Sequence, residues 1–185
     1  MVKIAAWFWN SPSIQDYLPI LAILAILKLG CTYLPIDPEY PQERVEFILN
    51  DTKVDFVLYN LENEVIEYLK DKLTIINLNN TELYENNTEN INVEIDSKNL
   101  AYILYTSGTS GTPKGTKITH NNLVNYITWA IKNYILEEKA IFALFTSLSF
   151  DLTVTSIFTP LLSGNQIEIY NKATIQNVIN DKIAN

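Results

Sequence analysis

The part of the chain that decides the fold is LAYILYTSGTSGTPKG, residues 100–115. Its first part, Leu100–Tyr105, is an apolar run with the length and composition of a buried strand. Its second part runs from Thr106 to Gly115 and contains three of the five glycines in the chain. Glycines let backbone N–H groups point inward at an anion, hydroxyl groups add donors, and a lysine supplies a positive charge. The stretch therefore favours a phosphate-binding loop that directly follows a strand.

Three familiar kinds of turn fit these residues less well. A flexible hairpin turn needs one or two glycines, not ten small polar residues that end in Pro-Lys-Gly. A Walker A loop needs a Gly-Lys pair before Ser or Thr, and the chain has no Gly-Lys pair. A dinucleotide-binding loop needs a different glycine spacing and an acidic residue downstream. The residues therefore favour a phosphate-binding loop that belongs to neither of these two nucleotide-binding classes.

Helix-like and strand-like segments alternate along the rest of the chain. We predict helices at 11–29, 42–50, 62–70, 121–134, 152–162 and 173–185. We predict strands at 32–36, 56–59, 73–78, 100–105, 117–119, 141–145 and 166–170, with a polar loop at 79–99. This alternation predicts an α/β fold, layered, with a largely parallel sheet flanked by helices. A chain of 185 residues is long enough for one such domain.

Composition and charge exclude several classes of protein. With 48% apolar residues the chain is not a disordered one. Its net charge of −8 and the lack of a basic cluster set nucleic acid aside as a partner. The single cysteine, Cys31, cannot form an internal disulfide and favours a reducing compartment. The apolar run at 17–27 is too short to span a bilayer, so we predict a cytoplasmic protein with no membrane partner.

Residues 100–115 resemble the signature of adenylate-forming enzymes, and more narrowly that of the adenylation domains of nonribosomal peptide synthetases. Two further stretches resemble other motifs of the family, in the family's order. They are GCTYLPIDPEYP at 30–41 with Arg44, and FDLTV at 150–154 with Phe158 and LLSG at 161–164. The order and spacing of the three matches extend the resemblance over most of residues 18–170.

The resemblance implies a reaction. In this family the carboxylate of an amino acid attacks the α-phosphate of ATP, pyrophosphate leaves, and the aminoacyl group then passes to the thiol of a phosphopantetheine. The implied cofactors are ATP with Mg²⁺ and the phosphopantetheine of a partner carrier domain. The implied partners are the amino acid and the carrier (thiolation) and condensation domains of a synthetase. Two alternatives stay open: another AMP-forming acyl- or aryl-CoA ligase, and a non-catalytic remnant.

The resemblance also assigns roles within the loop. The β- and γ-phosphates of ATP would be held by Thr106, Ser107, Gly108, Thr109, Ser110, Gly111 and Lys114. Lys114 would be the catalytic residue. Thr112 stands where many relatives carry a further lysine, and we expect this loss of one charge to be tolerated. The resemblance identifies no residue of this chain as a metal ligand.

The motif at 150–154 implies an amino acid as the substrate. Asp151 would pair with the α-ammonium group, in a region where acyl-CoA synthetases usually show a histidine. Phe150 would line the junction of the nucleotide and acyl pockets, while Leu152 and Thr155 would face the substrate side chain. Asp151, Leu152 and Thr155 resemble the start of the pocket pattern in asparagine- and aspartate-activating domains, so we expect a small polar amino acid. A different role for Asp151 is to cap the helix that begins at Leu152.

Complete adenylation domains run to several hundred residues. By the resemblance, residues 1–185 are a partial N-terminal domain, truncated at both ends and without the C-terminal subdomain. Motifs expected to help hold Mg²⁺, to bind the ribose and to supply a C-terminal lysine are absent from the chain.

The motifs missing from the chain affect the activity expected of it in isolation. The 185-residue chain alone should catalyse no amino-acid-dependent exchange of pyrophosphate into ATP, because part of the nucleotide site and the C-terminal lysine would be missing. The assay is exchange of labelled pyrophosphate with the purified chain over a panel of amino acids. Exchange above the level without amino acid would contradict the expectation.

Overall fold

The computed structural model describes residues 3–8, 17–60, 64–85, 88–107, 112–135 and 139–170. The chain divides into two compact units, one of residues 1–10 and 18–123 and the other of residues 11–17 and 124–185. Both are built from alternating strands and helices. The predicted α/β class with a largely parallel sheet flanked by helices is confirmed.

The first unit contains a six-stranded sheet with the order β4-β3-β1-β2-β5-β6. Its described strands are β1 (Ile4–Phe8), β2 (Thr32–Ile36), β3 (Phe56–Tyr59), β4 (Thr74–Asn77), β5 (Leu100–Thr106) and β6 (Lys114–Thr119). The helices between them are α1 (Leu18–Lys28), α2 (Gln42–Thr52) and α3 (Glu64–Lys70). Every pairing in this sheet is parallel except that of β5 with β6, which is antiparallel.

Strand β1 has no counterpart among the predicted strands, although it lies between β2 and β3 in the sheet. Ala5, Ala6, Trp7 and Phe8 are all almost fully buried. A strand covered on both faces carries no alternation of apolar and polar residues, and alanine is a poor strand former. The alternation that would indicate a strand is therefore absent from β1, and the two alanines weaken the preference of the other residues for a strand.

Helices α2 and α3 cover one face of this sheet. Val45, Ile48 and Leu49, at the i, i+3, i+4 spacing of one helix face, are buried in the core with residues of α3 and of the strands.

Helix α1 is followed by Gly30, which has φ +69°. The amides of Gly30 and Cys31 donate to the carbonyls of Leu27 and Ile26 and so close the end of the helix. The helix predicted at 11–29 is too long, because Tyr17 is not helical and α1 begins at Leu18. Residues 11–16 of that prediction, the start of the third predicted helix and the predicted helix at 173–185 fall outside the described residues.

The second unit contains a β-α-β motif. Strand β7 (Ile141–Leu144) and strand β8 (Gln166–Ile169) are parallel neighbours, and helix α5 (Leu152–Ser163) connects them. Helix α5 ends at Gly164, whose φ of +71° favours glycine. Helix α4 (His120–Tyr134) begins in the first unit and continues into the second.

Two predicted segments differ from the structure. The polar loop at 79–99 contains a short 3-10 turn, Thr81–Tyr84, in which the side chain of Asn80 accepts a hydrogen bond from the amide of Glu82. The strand predicted at 117–119 begins earlier, at Lys114. Pairing with β5 extends it, because the local preference of glycine against strands is weaker than a complete ladder of hydrogen bonds.

Helix α4 begins with a reciprocal cap. The hydroxyl oxygen of Thr119 accepts a hydrogen bond from the amide of Asn122 at 3.2 Å, and the amide of Thr119 donates to Oδ1 of Asn122 at 3.1 Å. This is the geometry of a capping box with asparagine in the acceptor position.

Replacing Thr119 by alanine should lower the free energy of unfolding by about 1 kcal/mol, because the amide of Asn122 loses its acceptor. Urea unfolding followed by circular dichroism measures this change. Thr119→Ser keeps the oxygen and should retain most of the stability. Equal losses in the two variants would assign the effect to the methyl group and would contradict the capping role.

Candidate functional site

Three of the predicted phosphate-binding residues, Thr106, Ser107 and Lys114, lie at one end of the β5–β6 hairpin. Thr106 is the last residue of β5 and pairs with Lys114, the first residue of β6. The side chains of Thr106, Ser107 and Lys114 are exposed. The hairpin therefore brings two hydroxyl groups and one ammonium group to the ends of the chain segment that joins the two strands. Gly108, Thr109, Ser110 and Gly111 lie outside the described residues.

Lys114 belongs to a strand and not, as predicted, to the turn. The connection between the paired residues is residues 107–113, which is longer than the two to five residues of most hairpin loops. The structure therefore contains a hairpin at the place where a phosphate-binding loop was predicted. A hairpin and a phosphate-binding loop can occupy the same segment, because the connection at 107–113 has more residues than a hairpin turn requires.

Asp151 lies at the start of helix α5, in the connection that follows β7. Its backbone is already helical, with φ −62° and ψ −29°, and its side chain makes no capping hydrogen bond. The carbonyl of Phe150 accepts both the amide of Thr153, at 3.3 Å, and its hydroxyl, at 2.6 Å. The alternative role of Asp151 as the side-chain cap of α5 is therefore wrong. Its carboxylate is exposed and is not used by the helix backbone.

The other predicted substrate-facing residues differ in exposure. Phe150 is 60% exposed and Leu152 52% exposed, so both present apolar surface beside Asp151. Thr155 is buried, and its hydroxyl is 2.6 Å from the hydroxyl of Tyr126 on α4. Tyr126 was not predicted to take part in any site. Nothing in its local sequence indicates a role, because the contact joins residues 29 positions apart.

In the part of the chain that the structure describes, no group of three or more histidine, cysteine, aspartate or glutamate side chains could hold a metal ion. No described helix is both long enough and apolar enough to cross a membrane.

The family model for AMP-binding enzymes matches residues 3–182. The chain therefore belongs to the AMP-binding enzyme family. The matched range includes all three motifs on which the resemblance to adenylate-forming enzymes was based.

Among proteins of known function, the chain is similar to peptide synthases. The chain is 46% identical over 164 residues to tyrocidine synthase 3 of Brevibacillus parabrevis, a match that covers 89% of this chain and 2% of the synthase. It is 46% identical over 151 residues to one of the mycosubtilin synthase proteins of Bacillus subtilis, a match that covers 82% of this chain and 6% of that protein. The chain thus spans only a small part of the relatives that it matches.

Solved structures share the fold. One is an o-succinylbenzoate CoA synthetase from Bacillus subtilis, solved in complex with an acyl-adenylate intermediate. It superposes with a TM-score of 0.78 at 21% identity, and the match covers 97% of this chain and 46% of the synthetase chain. A nonribosomal peptide synthetase, FmoA3, gives a TM-score of 0.72 at 22% identity and covers 91% of this chain and 17% of its own. The described structure therefore has the fold of adenylate-forming enzymes.

Because Asp151 makes no cap, Asp151→Ala should change the free energy of unfolding by less than about 0.5 kcal/mol, the usual range for an exposed side chain. The measurement is urea unfolding at high salt, which screens the interaction of a carboxylate with the helix dipole. Asp151→Asn separates the loss of charge from the loss of the side chain. A loss of about 1 kcal/mol or more for alanine alone would indicate a capping bond after all.

Proposed function

We propose that this chain is part of an adenylation domain that activates an amino acid in nonribosomal peptide synthesis. The observation that carries the proposal is the hairpin end, where exposed hydroxyl and ammonium groups of Thr106, Ser107 and Lys114 flank a glycine-rich connection. The similarity to tyrocidine synthase 3 and to the mycosubtilin synthase protein supports this narrower class within the family.

The proposed reaction forms an aminoacyl-adenylate. An oxygen of the substrate carboxylate attacks the α-phosphorus of ATP, the bond from that phosphorus to the β-phosphate oxygen breaks, and pyrophosphate leaves with the electron pair. No protein nucleophile is needed, so the protein contributes positioning and charge neutralisation. Residues 106–111 would donate hydrogen bonds to the β- and γ-phosphates. Lys114 would neutralise the charge that grows on the leaving pyrophosphate.

Two cofactors complete the proposal. Mg²⁺ would accompany ATP, since this ion is commonly held through substrate phosphates in addition to protein groups. The thiol of a phosphopantetheine on a carrier domain would then attack the acyl carbon and release AMP. Carrier and condensation domains of a synthetase are the proposed protein partners. The free and buried thiol of Cys31 is consistent with the proposed cytoplasmic location.

Asp151 is the proposed partner of the substrate α-ammonium group. Its exposed carboxylate is not used to cap α5, so both oxygens remain able to accept hydrogen bonds from a cation. The neighbouring exposed side chains of Phe150 and Leu152 would provide the apolar surface around that ion pair. An ion pair with apolar surroundings is screened less by water than one in open solvent.

A small polar amino acid such as asparagine or aspartate is the proposed substrate class. The support is the hydroxyl pair of Thr155 and Tyr126, 2.6 Å apart. In such a pair one hydroxyl donates to the other, and the second keeps a donor for another acceptor. A substrate amide or carboxylate could use that donor, whereas an aliphatic side chain would leave it unpaired.

The test replaces the matching segment of tyrocidine synthase 3 with this chain and measures amino-acid-dependent exchange of pyrophosphate into ATP. Asp151→Asn should raise the KM for the amino acid about 100-fold, because the ammonium group loses its charged partner. Carboxylic acids that lack the amine should lose much less. Lys114→Ala should lower exchange about 100-fold for every substrate, because it acts on the leaving group.

Lys117→Ala is the matched control for Lys114, since both lysines are exposed on β6 and Lys117 lies farther from the loop. Its exchange should be unchanged. Equal losses for acids with and without an amine in Asp151→Asn would contradict amino acid activation and favour an acyl- or aryl-CoA ligase. Unchanged kinetics in Lys114→Ala would contradict the assignment of the loop.

A further inference from the structure

A buried tyrosine lies at the base of the proposed phosphate-binding loop. Tyr105 is 6% exposed and is the residue of β5 directly before Thr106. Its ring belongs to the same core cluster as Val45, Ile48 and Leu49 of α2. Its hydroxyl donates a hydrogen bond to the Asp51 carboxylate in the last turn of α2. Helix α2 is thereby joined to the last part of the strand that leads into the loop.

The opposite strand has a glycine at the matching position. Tyr105 pairs with Gly115 of β6, one step from the pair of Thr106 with Lys114. A Cβ atom added to Gly115 would lie 3.0 Å from Cζ and 3.1 Å from Cε2 of Tyr105, and 3.2 Å from Cγ2 of Ile103. The ring of Tyr105 therefore covers the space that a side chain at position 115 would occupy. An aromatic ring over a glycine of an edge strand is a known way of stabilising such a pair.

The hydroxyl is held neutral and in place. Burial, followed by the hydrogen bond and the charge of Asp51, raises the pKa of Tyr105 well above its ordinary value, so the group remains a donor at neutral pH. A hydrogen bond to an ionised acceptor is stronger than one between neutral groups. The ring cannot then turn away from Gly115 without breaking its bond to Asp51.

We propose that Tyr105 is a positioning residue that, through Asp51 and Gly115, sets the spacing and orientation of the two strand ends from which the phosphate-binding loop departs. Tyr105 does not touch the phosphates in this proposal. It holds Thr106 and Lys114 in register, so that their side chains meet the β- and γ-phosphates together. The proposal rests on the proposed function, because it assumes that the loop binds those phosphates.

The test uses the hybrid of tyrocidine synthase 3 that carries this chain, and compares its affinities for MgATP and for AMP, which lacks the β- and γ-phosphates. The hybrid with the unchanged chain should prefer MgATP. Tyr105→Phe removes only the hydroxyl and should weaken MgATP binding about tenfold, because Thr106 and Lys114 are then held less firmly in the positions that meet the phosphates. AMP binding should stay within about twofold. Gly115→Ala should give the same loss of preference, because the new Cβ displaces the ring.

Two further variants separate positioning from simple stability. Asp51→Ala should match Tyr105→Phe, whereas Asp51→Asn keeps a side-chain acceptor and should restore most of the preference for MgATP. The double variant of Tyr105→Phe with Asp51→Ala should lose no more than either alone, since both remove one interaction. Tyr102→Phe is the matched control, because Tyr102 lies on the same strand with similar burial but stacks on Tyr33 instead.

Each outcome decides between the two proposals. If the unchanged chain binds MgATP no better than AMP, the loop does not hold the β- and γ-phosphates, and both proposals fail. If the unchanged chain prefers MgATP and Tyr105→Phe keeps that preference, the positioning role alone is overturned. Equal weakening of MgATP and AMP, shared by Tyr102→Phe, would also overturn it, because it would indicate a general loss of stability.

Discussion

Strand β5 pairs in parallel with β2 on one side and antiparallel with β6 on the other. The parallel side is held by the pair of Tyr33 with Tyr102 and by the hydroxyl of Thr32, which donates to the carbonyl of Leu100 at 3.0 Å. The antiparallel side allows the chain to return directly, whereas a parallel neighbour would require a crossover of a dozen or more residues. Both ends of the proposed phosphate-binding loop are therefore anchored on adjacent strands, at the carboxyl edge of β5.

How far the fold could be predicted depended on whether burial leaves a pattern in the sequence. The apolar face of α2 has a helical period, and the short apolar runs of β2 and β3 are bounded by turn residues, so these elements can be predicted although both strands are buried along most of their length. Strand β1 is buried in the same way, but two of its five residues are alanine and no turn residue marks its start. The early start of β6 was missed because its pairing with β5, and not the preference of Lys114 or Gly115, determines where the strand begins.

The candidate site was predictable where motif and chemistry coincide and not where two distant segments meet. The residue types at 106, 107 and 114 indicated phosphate binding without any structure. The bond of Tyr105 to Asp51 joins residues 54 positions apart, and Asp51 looks in sequence like any acidic residue at the end of an amphipathic helix. The choice between capping and free carboxylate at Asp151 also required coordinates, since both roles suit an acid before a helix.

The backbone of Asp151 explains how an acid at a helix start can remain available. A capping residue lies outside the helix, usually in an extended conformation, and uses a side-chain oxygen to accept an amide of the first turn. Asp151 is already helical, so its carboxylate stands beside the positive end of the α5 dipole without such a bond. Because the helix backbone does not use this carboxylate, both of its oxygens can accept hydrogen bonds from the proposed substrate ammonium group, whereas a capping aspartate would have one oxygen occupied.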